Sequence, residues 1–268
     1  MLRVLLVLMI SAMLLPTTFT SAAVKGLVAF WQLDEGSGNE VKDVSGNGHH
    51  GEIKGPKWAS GKIGKGLIFA GKDNKELVEV PDDDDLDGME AMTATAWANI
   101  TGTGTSVYPR FVTKGHEHSW TFLIDVNAGK YLRFIVNRPG GKFDVTDKTT
   151  QLDPFFNKFH HYAVAWDGKD VIFYIDGKEI SKHAAGPGPG SQTDVPVLLG
   201  NSPEGRTFEG ILDEVGLFNI ALSQKDIKGI MDGFSRFRAA VNPDGKLSTV
   251  WGNVKANHSS PNIGGEVK

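Results

Sequence analysis

The chain has 268 residues, of which 40% are hydrophobic and 22% are charged, and its formal net charge is −4. This composition is typical of a globular protein and excludes a disordered or collagen-like chain. Lysines and arginines are scattered along the sequence and do not form the basic cluster that is typical of nucleic-acid binding. Because the chain has no cysteine, disulfides, thiolate nucleophiles and cysteine-ligated zinc are excluded.

The first 23 residues differ from the rest of the chain. Arg3 precedes an apolar run from Val4 to Leu15, and Ser21-Ala22-Ala23 supplies the small residues that a signal peptidase requires. The apolar run is shorter than the ~20 residues that span a bilayer as a helix. We therefore expect a secretory signal over residues 1–23, cleaved after Ala23, with an uncleaved membrane anchor as the alternative. The product is expected to be secreted, periplasmic or on the cell surface, with no membrane span after cleavage.

Short β-rich segments separated by glycine-rich turns follow the signal. The clearest lie between Phe159 and Ser181, where two apolar runs end in Asp167-Gly168 and Asp176-Gly177. Asp-Gly favours the positive φ angles of a tight two-residue turn, so this stretch predicts a three-stranded antiparallel meander. The remaining predicted strands are Leu27–Leu33, Gly66–Ala70, Leu77–Val80, Met92–Ile100, Phe111–Lys114, Trp120–Val126, Tyr131–Asn137, Val197–Gly200 and Phe208–Asn219.

One helix signal stands near the C-terminus. Ser223 can cap the helix, Asp226 stands three residues later as a short capping box, and the helix should end near Gly233. Residues 235–268 are polar and rich in turn signals, and we expect a partly disordered tail there. A dozen strands with one helix predict an all-β fold over residues 24–234, a two-sheet antiparallel jelly-roll sandwich.

Four phrases of the sequence resemble the laminin-G-like branch of the concanavalin A-like lectin/glucanase superfamily. They are Val28–Gly38, Val41–Ile53, Gly66–Phe69 and Phe208–Ser223, and they occur in the order typical of that branch. The resemblance implies a jelly-roll domain that often carries calcium and binds carbohydrate or protein ligands.

The loop from Asp43 to Gly51 is a candidate calcium site. It combines oxygen-bearing side chains with glycines that let backbone carbonyls converge. Calcium takes six to eight oxygen ligands, which carboxylates and carbonyls can supply. The alternative is that Asp43 and Asn47 cap turns through their own side chains.

A second carboxylate, Asp213, strengthens the calcium hypothesis. On a regular strand it shares a face with Ile211, Val215 and Leu217. A carboxylate on such an apolar face is costly to bury unless it is paired, hydrogen-bonded or metal-bound. We therefore predict that Asp43 and Asp213 share a calcium ion that clamps the two ends of the domain together. The side chains of Asn47 and Asp34 and the carbonyls of Gly48 and His50 would complete its shell.

Two other patterns are weaker. Neighbouring histidines such as His160-His161 point to opposite faces of a strand, which argues against zinc. The four carboxylates Asp82 to Asp85 are typical of a solvated loop, with a weak surface cation site as the alternative.

Catalysis by paired carboxylates is not expected. A retaining glycosidase needs two carboxyl groups about 5 Å apart, whereas Asp213 and Glu214 are adjacent and would face opposite ways on a regular strand. Carbohydrate binding needs aromatic platforms and planar polar groups near loops. The candidates of those types are Trp120, Trp58, Tyr108, Arg110 and Arg133, with core packing as the alternative for the two tryptophans.

The sequence thus predicts a secreted, non-catalytic module for calcium-dependent recognition of carbohydrate or extracellular matrix. Its partner would be a glycan or an extracellular or cell-surface protein. The alternatives are a glycoside hydrolase or polysaccharide lyase of the same superfamily, and a structural protein-adhesion module.

Overall fold

The computed structural model describes residues 24–71, 75–103, 108–115, 122–138, 140–191 and 193–241. The predicted signal segment 1–23 and Trp120 lie outside the described residues, as does the expected tail beyond residue 241. Within the described residues, no helix is long and apolar enough to cross a lipid bilayer.

Two antiparallel sheets of eight strands each form the fold, which confirms the predicted sandwich. The first sheet contains β1 (Leu27–Trp31), β4 (Lys57–Ser60), β5 (Lys65–Ala70), β7 (Met92–Gly102), β12 (Phe159–Trp166), β13 (Asp170–Ile175), β14 (Lys178–Ala184) and β16 (Glu209–Phe218). The second contains β2 (Glu40–Val41), β3 (Gly51–Lys54), β6 (Leu77–Val80), β8 (Arg110–Lys114), β9 (Phe122–Val126), β10 (Leu132–Val136), β11 (Phe143–Thr146) and β15 (Val197–Leu199). The short strands β2, β3, β4 and β11 were not predicted.

The predicted meander is present as β12-β13-β14. Its second turn has the expected two-residue form, because Asp176 and Gly177 both have positive φ. The first turn is one residue longer than predicted, since Asp167, Gly168 and Lys169 separate the two strands.

Inward-facing side chains of both sheets form the main core. On β7, Ala94, Ala96 and Ala98 point inward. Trp31 and Trp166 are fully buried in the same core. Trp97 is also buried, but on the outer face of the first sheet, where its indole N–H donates to the carbonyl of Met231.

Two helices cover part of that outer face. In α1 (Gln224–Ile230), the predicted capping box between Ser223 and Asp226 is formed. The segment expected to be a polar tail begins instead with a second helix, α2 (Phe234–Val241). Phe234 and Phe237 bury their rings beneath it, and Phe234 stacks on Phe30 with centroids 4.3 Å apart. These aromatic residues explain why the chain stays on the sheet beyond Gly233.

Candidate functional site

Three of the five predicted ligand residues meet in one cleft on the outer face of the second sheet. Leu132, Phe134 and Val136 of β10 point into the core, which turns Arg133 outward. The cleft has a volume of about 140 Å³. We call it the arginine cleft; its lining residues are Tyr108, Arg110, Arg133, Ile135, Lys142, Asp144 and Arg206.

A row of charges across three strands forms the floor of the arginine cleft. Arg110 on β8 and Arg133 on β10 are both cross-strand partners of Asp125 on β9. Asp125 is fully buried; it pairs with Arg110, and its Oδ1 accepts from Nε of Arg133 at 2.9 Å. Because the carboxylate lies between two guanidinium groups, it fixes both in place. Burial lowers the pKa of Arg133, an effect that Asp144 and Tyr108 oppose.

Tyr108 lies among the guanidinium groups of the cleft. The guanidinium carbons of Arg133 and Arg206 are 4.7 and 4.8 Å from the centroid of its ring. Both distances lie within the range of cation–π attraction, so the ring helps to hold positive charge at this surface. Arg206 and Lys142 were not singled out in the sequence; the fold brings them to the other cleft residues.

Hydrogen bonds to the carboxylate of Asp43 hold the loop at residues 43–51. The two carboxylate oxygens of Asp43 accept five hydrogen bonds, from the backbone N–H groups of Phe30, Ser45, Gly48 and His49 and from the Ser45 hydroxyl. A carboxylate has about four lone-pair sites, so none is left for a cation. Burial would raise the pKa of Asp43, but these hydrogen bonds outweigh it and hold the pKa below its ordinary value. Asp43 therefore acts as a turn-capping residue in this structure, which is the alternative that the sequence left open.

The other predicted ligands in this loop also bind within the loop or to β1. The side-chain amide of Asn47 donates to the carbonyls of Leu27 and Val28. Nδ1 of His50 accepts the N–H of Asp43, and the carbonyl of Gly48 accepts the N–H of His50. These bonds close the loop against β1, so they explain its shape without an ion.

A β-bulge in β16 changes the predicted position of Asp213. Leu212 points into the core, and so do Val215 and Leu217, because the register with β7 shifts between them. Glu214 is the extra residue, with φ of 49°. Asp213 therefore does not share a face with Val215 and Leu217, as regular alternation predicted; it lies on the outer face, beside Trp97 of the neighbouring strand.

Asp213 and Asp34 both contact the turn between β4 and β5. The N–H of Ile63 donates to Oδ2 of Asp213 at 2.9 Å, and the N–H of Lys65 donates to Oδ1 of Asp34 at 2.6 Å. A Cβ atom at Gly61 would come within 2.6 Å of Oδ2 of Asp213, and one at Gly64 would collide with Oδ1 of Asp34. Only glycine therefore allows the turn to approach both carboxylates so closely. We call Asp34 and Asp213 the acidic pair.

Asp213 has unsatisfied binding capacity. Its Oδ1 is buried and has no hydrogen-bond partner among the described residues. Burial raises the pKa of Asp213 to about 8, although the N–H of Ile63 opposes this, and the charges of Glu214 and Asp34 raise it further. A buried carboxylate with an unpartnered oxygen needs a proton or a cation.

Glu214 has a different role. One of its oxygens accepts the backbone N–H of Phe234 at 2.9 Å and the other accepts from the amide of Gln32. Burial raises the pKa of this carboxyl group, and the two hydrogen bonds oppose the rise. Glu214 thus attaches the start of α2 to the sheet. Because Asp213 and Glu214 are both fully buried, they present no surface to a polysaccharide.

Comparison with known proteins identifies the family. A laminin-G-like family model, described as belonging to the concanavalin A-like lectin/glucanases superfamily, matches residues 72–228. This match covers more than half of the chain, so the chain belongs to that family. No curated protein matches the sequence.

Several solved structures share the fold. The binding domain of Paraclostridial Mosquitocidal Protein 1 has a TM-score of 0.61 and 16% identity, over 78% of this chain and 52% of that one. Domain 4 of AbnA, a GH43 extracellular arabinanase from Geobacillus stearothermophilus solved with arabinotriose, has a TM-score of 0.60 and 20% identity, over 75% of this chain and 96% of that one. The receptor-binding domain of the botulinum neurotoxin C/D mosaic serotype has a TM-score of 0.58 and 12% identity, over 78% of this chain and 51% of that one. This chain spans about half the length of the two toxin domains, and at these identities the likeness shows the fold alone.

Proposed function

We propose that this protein is a non-catalytic binding module whose ligand is a carbohydrate bound in the arginine cleft. The proposal rests on the position of Tyr108, Arg110 and Arg133, which were chosen by residue type. All three line the same cleft, together with Arg206 and Lys142. An aromatic ring beside planar hydrogen-bond donors is a combination suited to sugars. The arabinotriose complex of the AbnA domain, which has the same fold, supports the proposal by analogy.

The charge of the cleft favours an acidic glycan. Four of the seven lining residues, Arg110, Arg133, Lys142 and Arg206, are cationic. This cationic lining suits a carboxylate or sulfate group on the sugar, since guanidinium binds such groups through paired hydrogen bonds.

A glycan array that carries neutral, uronate and sulfated oligosaccharides tests this proposal. We expect acidic glycans to bind, and Arg206→Gln and Lys142→Gln each to weaken them by about 10- to 100-fold, the value of a lost charged hydrogen bond. Lys182→Gln is the matched control, because this exposed lysine pairs with Asp170 on the other sheet. Equal binding of neutral glycans would refute the charge argument, and no binding to any glycan would refute the carbohydrate function.

We further propose that the acidic pair holds a calcium ion. The support is the unpartnered Oδ1 of Asp213, the nearness of Asp34, and a glycine turn that approaches both carboxylates. These are hard oxygen ligands of the kind calcium prefers, and the ion would neutralise a buried negative charge. Its contribution would be structural, because it would join β16 to the turn between β4 and β5.

Thermal unfolding in calcium and in a chelator tests this site. If calcium is present at about 100 times its Kd, it should stabilise the fold by about 2.7 kcal/mol and raise the Tm by about 5–10 °C. Asp213→Asn should abolish the shift. Asp43→Asn should lower the Tm in both buffers and leave the shift intact, because Asp43 only caps its loop. A shift that survives in Asp213→Asn would place the ion elsewhere.

We also propose that residues 1–23 direct export of the protein. Expression of the full chain should yield an extracytoplasmic product that begins at Val24, as read by N-terminal sequencing. A product that retains Met1 in the membrane fraction would support the uncleaved anchor instead.

A further inference from the structure

A second cluster of metal-ligating side chains lies away from both the arginine cleft and the acidic pair. One ring nitrogen of His49 and one carboxylate oxygen each of Asp83 and Asp85 lie within 4.8 Å of one another. The potential partners of His49 come from a loop more than 30 residues later, so comparison of neighbouring histidines along the chain does not reveal this cluster.

His49 is held firmly in this position. Its backbone N–H donates to Asp43, and its carbonyl accepts the indole N–H of Trp31 at 2.7 Å. The residue is only 5% exposed, and Nε2 of its ring is buried without a hydrogen-bond partner among the described residues. A buried imidazole nitrogen without a partner is costly, so a ligand for it would be stabilising.

The two carboxylates come from the acidic loop after β6. Asp83 caps the 3-10 helix Asp84–Leu86 by accepting the N–H of Asp85. Lys114 pairs with Asp82 and Asp87 on either side, but among the described residues no cationic side chain forms an ion pair with Asp83 or Asp85. Both carboxylates are exposed and therefore free to adjust, whereas His49 is fixed.

We propose that His49, Asp83 and Asp85 form a binding site for a divalent transition-metal ion such as Zn²⁺. Imidazole with two carboxylates suits zinc and its neighbours in the first transition row, whereas calcium disfavours a nitrogen ligand. Ligand atoms around one zinc ion lie roughly 3–4 Å apart, which small movements of the two exposed aspartates can reach. Three protein ligands leave at least one position for water, and the ion would tie the 43–51 loop to the loop after β6.

Metal binding to the full chain, stripped of metal and saturated with calcium, tests the site. Co²⁺ serves as a visible probe, and Zn²⁺ binding is measured by calorimetry and native mass spectrometry. The wild type should bind one more Zn²⁺ ion than the double variant Asp83→Asn/Asp85→Asn and should show Co²⁺ bands that this variant loses. Asn at position 83 can still cap the helix, so the variant should remain folded.

Two controls separate this site from other metal binding. Asp84→Asn removes a neighbouring carboxylate outside the cluster, and Asp213→Asn removes the proposed calcium ligand; both should retain the Zn²⁺ stoichiometry and the Co²⁺ spectrum. His49→Gln should lose both signals. If Asp83→Asn/Asp85→Asn keeps the wild-type stoichiometry and spectrum, or if Asp84→Asn loses as much as the double variant, the proposal is wrong.

Discussion

The buried ring of His161 should make the stability of the fold depend on pH. His161 lies on β12, fully buried, with its ring centroid 5.4 Å from that of Trp97. Neither ring nitrogen has a hydrogen-bond partner among the described residues. Burial lowers the pKa of His161 from 6.5 to about 4, although the nearby charge of Asp176 opposes the shift.

The sign and size of the effect follow from this lowered pKa. Between pH 6.5 and 4, His161 is protonated in the unfolded chain and neutral in the folded chain. Acid therefore favours unfolding. The contribution of neutral His161 to the free energy of unfolding is fully present above pH 6.5 and is lost as the pH falls toward 4. For these two pKa values, the loss between pH 7.5 and pH 4.5 amounts to about 2.5 kcal/mol.

Urea unfolding of the wild type and of His161→Phe at the two pH values measures this contribution. Phenylalanine preserves the aromatic contact with Trp97 and cannot be protonated. The wild type should lose about 2.5 kcal/mol more than the variant on acidification, since the other titrating groups are common to both. An identical loss in wild type and His161→Phe would refute the argument.

Two further substitutions, each with a matched control, test the packing that positions the cleft and the core. Asp125→Asn leaves Arg110 and Arg133 without their shared carboxylate and should cost about 3–5 kcal/mol in urea unfolding. Asp144→Asn, which removes a more exposed partner of Arg133 at 3.6 Å, should cost less than about 1 kcal/mol; similar losses would contradict the buried network. Gly200→Ala should cost about 2–4 kcal/mol, because φ is 76° and the added Cβ would collide with the ring of Phe69. Gly46→Ala, at φ of 100° with open space around it, should cost about 1–2 kcal/mol, and an equal loss at both glycines would argue against the collision.

Local signals in the sequence predicted the elements that depend on local interactions. The Asp-Gly turns of the meander and the capping box at Ser223 each involve residues a few positions apart. The interactions that stabilise these elements lie within one turn or hairpin. The local sequence pattern is therefore sufficient to predict them.

The arginine cleft could be predicted only in part. Tyr108, Arg110 and Arg133 were proposed from their residue types, but their meeting depends on the strand order β8-β9-β10. Lys142 and Arg206 join them from the residue before β11 and from the segment before β16, far apart in sequence. A charge that looks scattered along the chain is therefore concentrated by the topology of the sheet.

The bulge at Glu214 explains why the sequence pattern placed Asp213 on the wrong face of β16. A positive φ is usually provided by glycine or asparagine, and glutamate carries no such signal. Without the bulge, regular alternation groups Asp213 with the core residues Val215 and Leu217. The long-range pairing of Asp213 with the turn at Ile63 is likewise a tertiary contact, which no local pattern encodes.

The same bulge divides β16 into two halves of opposite phase. Up to Leu212, every second residue faces the interior; after Glu214, the inward series resumes one position late, at Val215. Selection can therefore act separately on the inward-facing residues and on the outer carboxylates of this strand. A family member could gain, lose or exchange its outer carboxylates here while the inner series stays unchanged, provided that the chain keeps its one surplus residue.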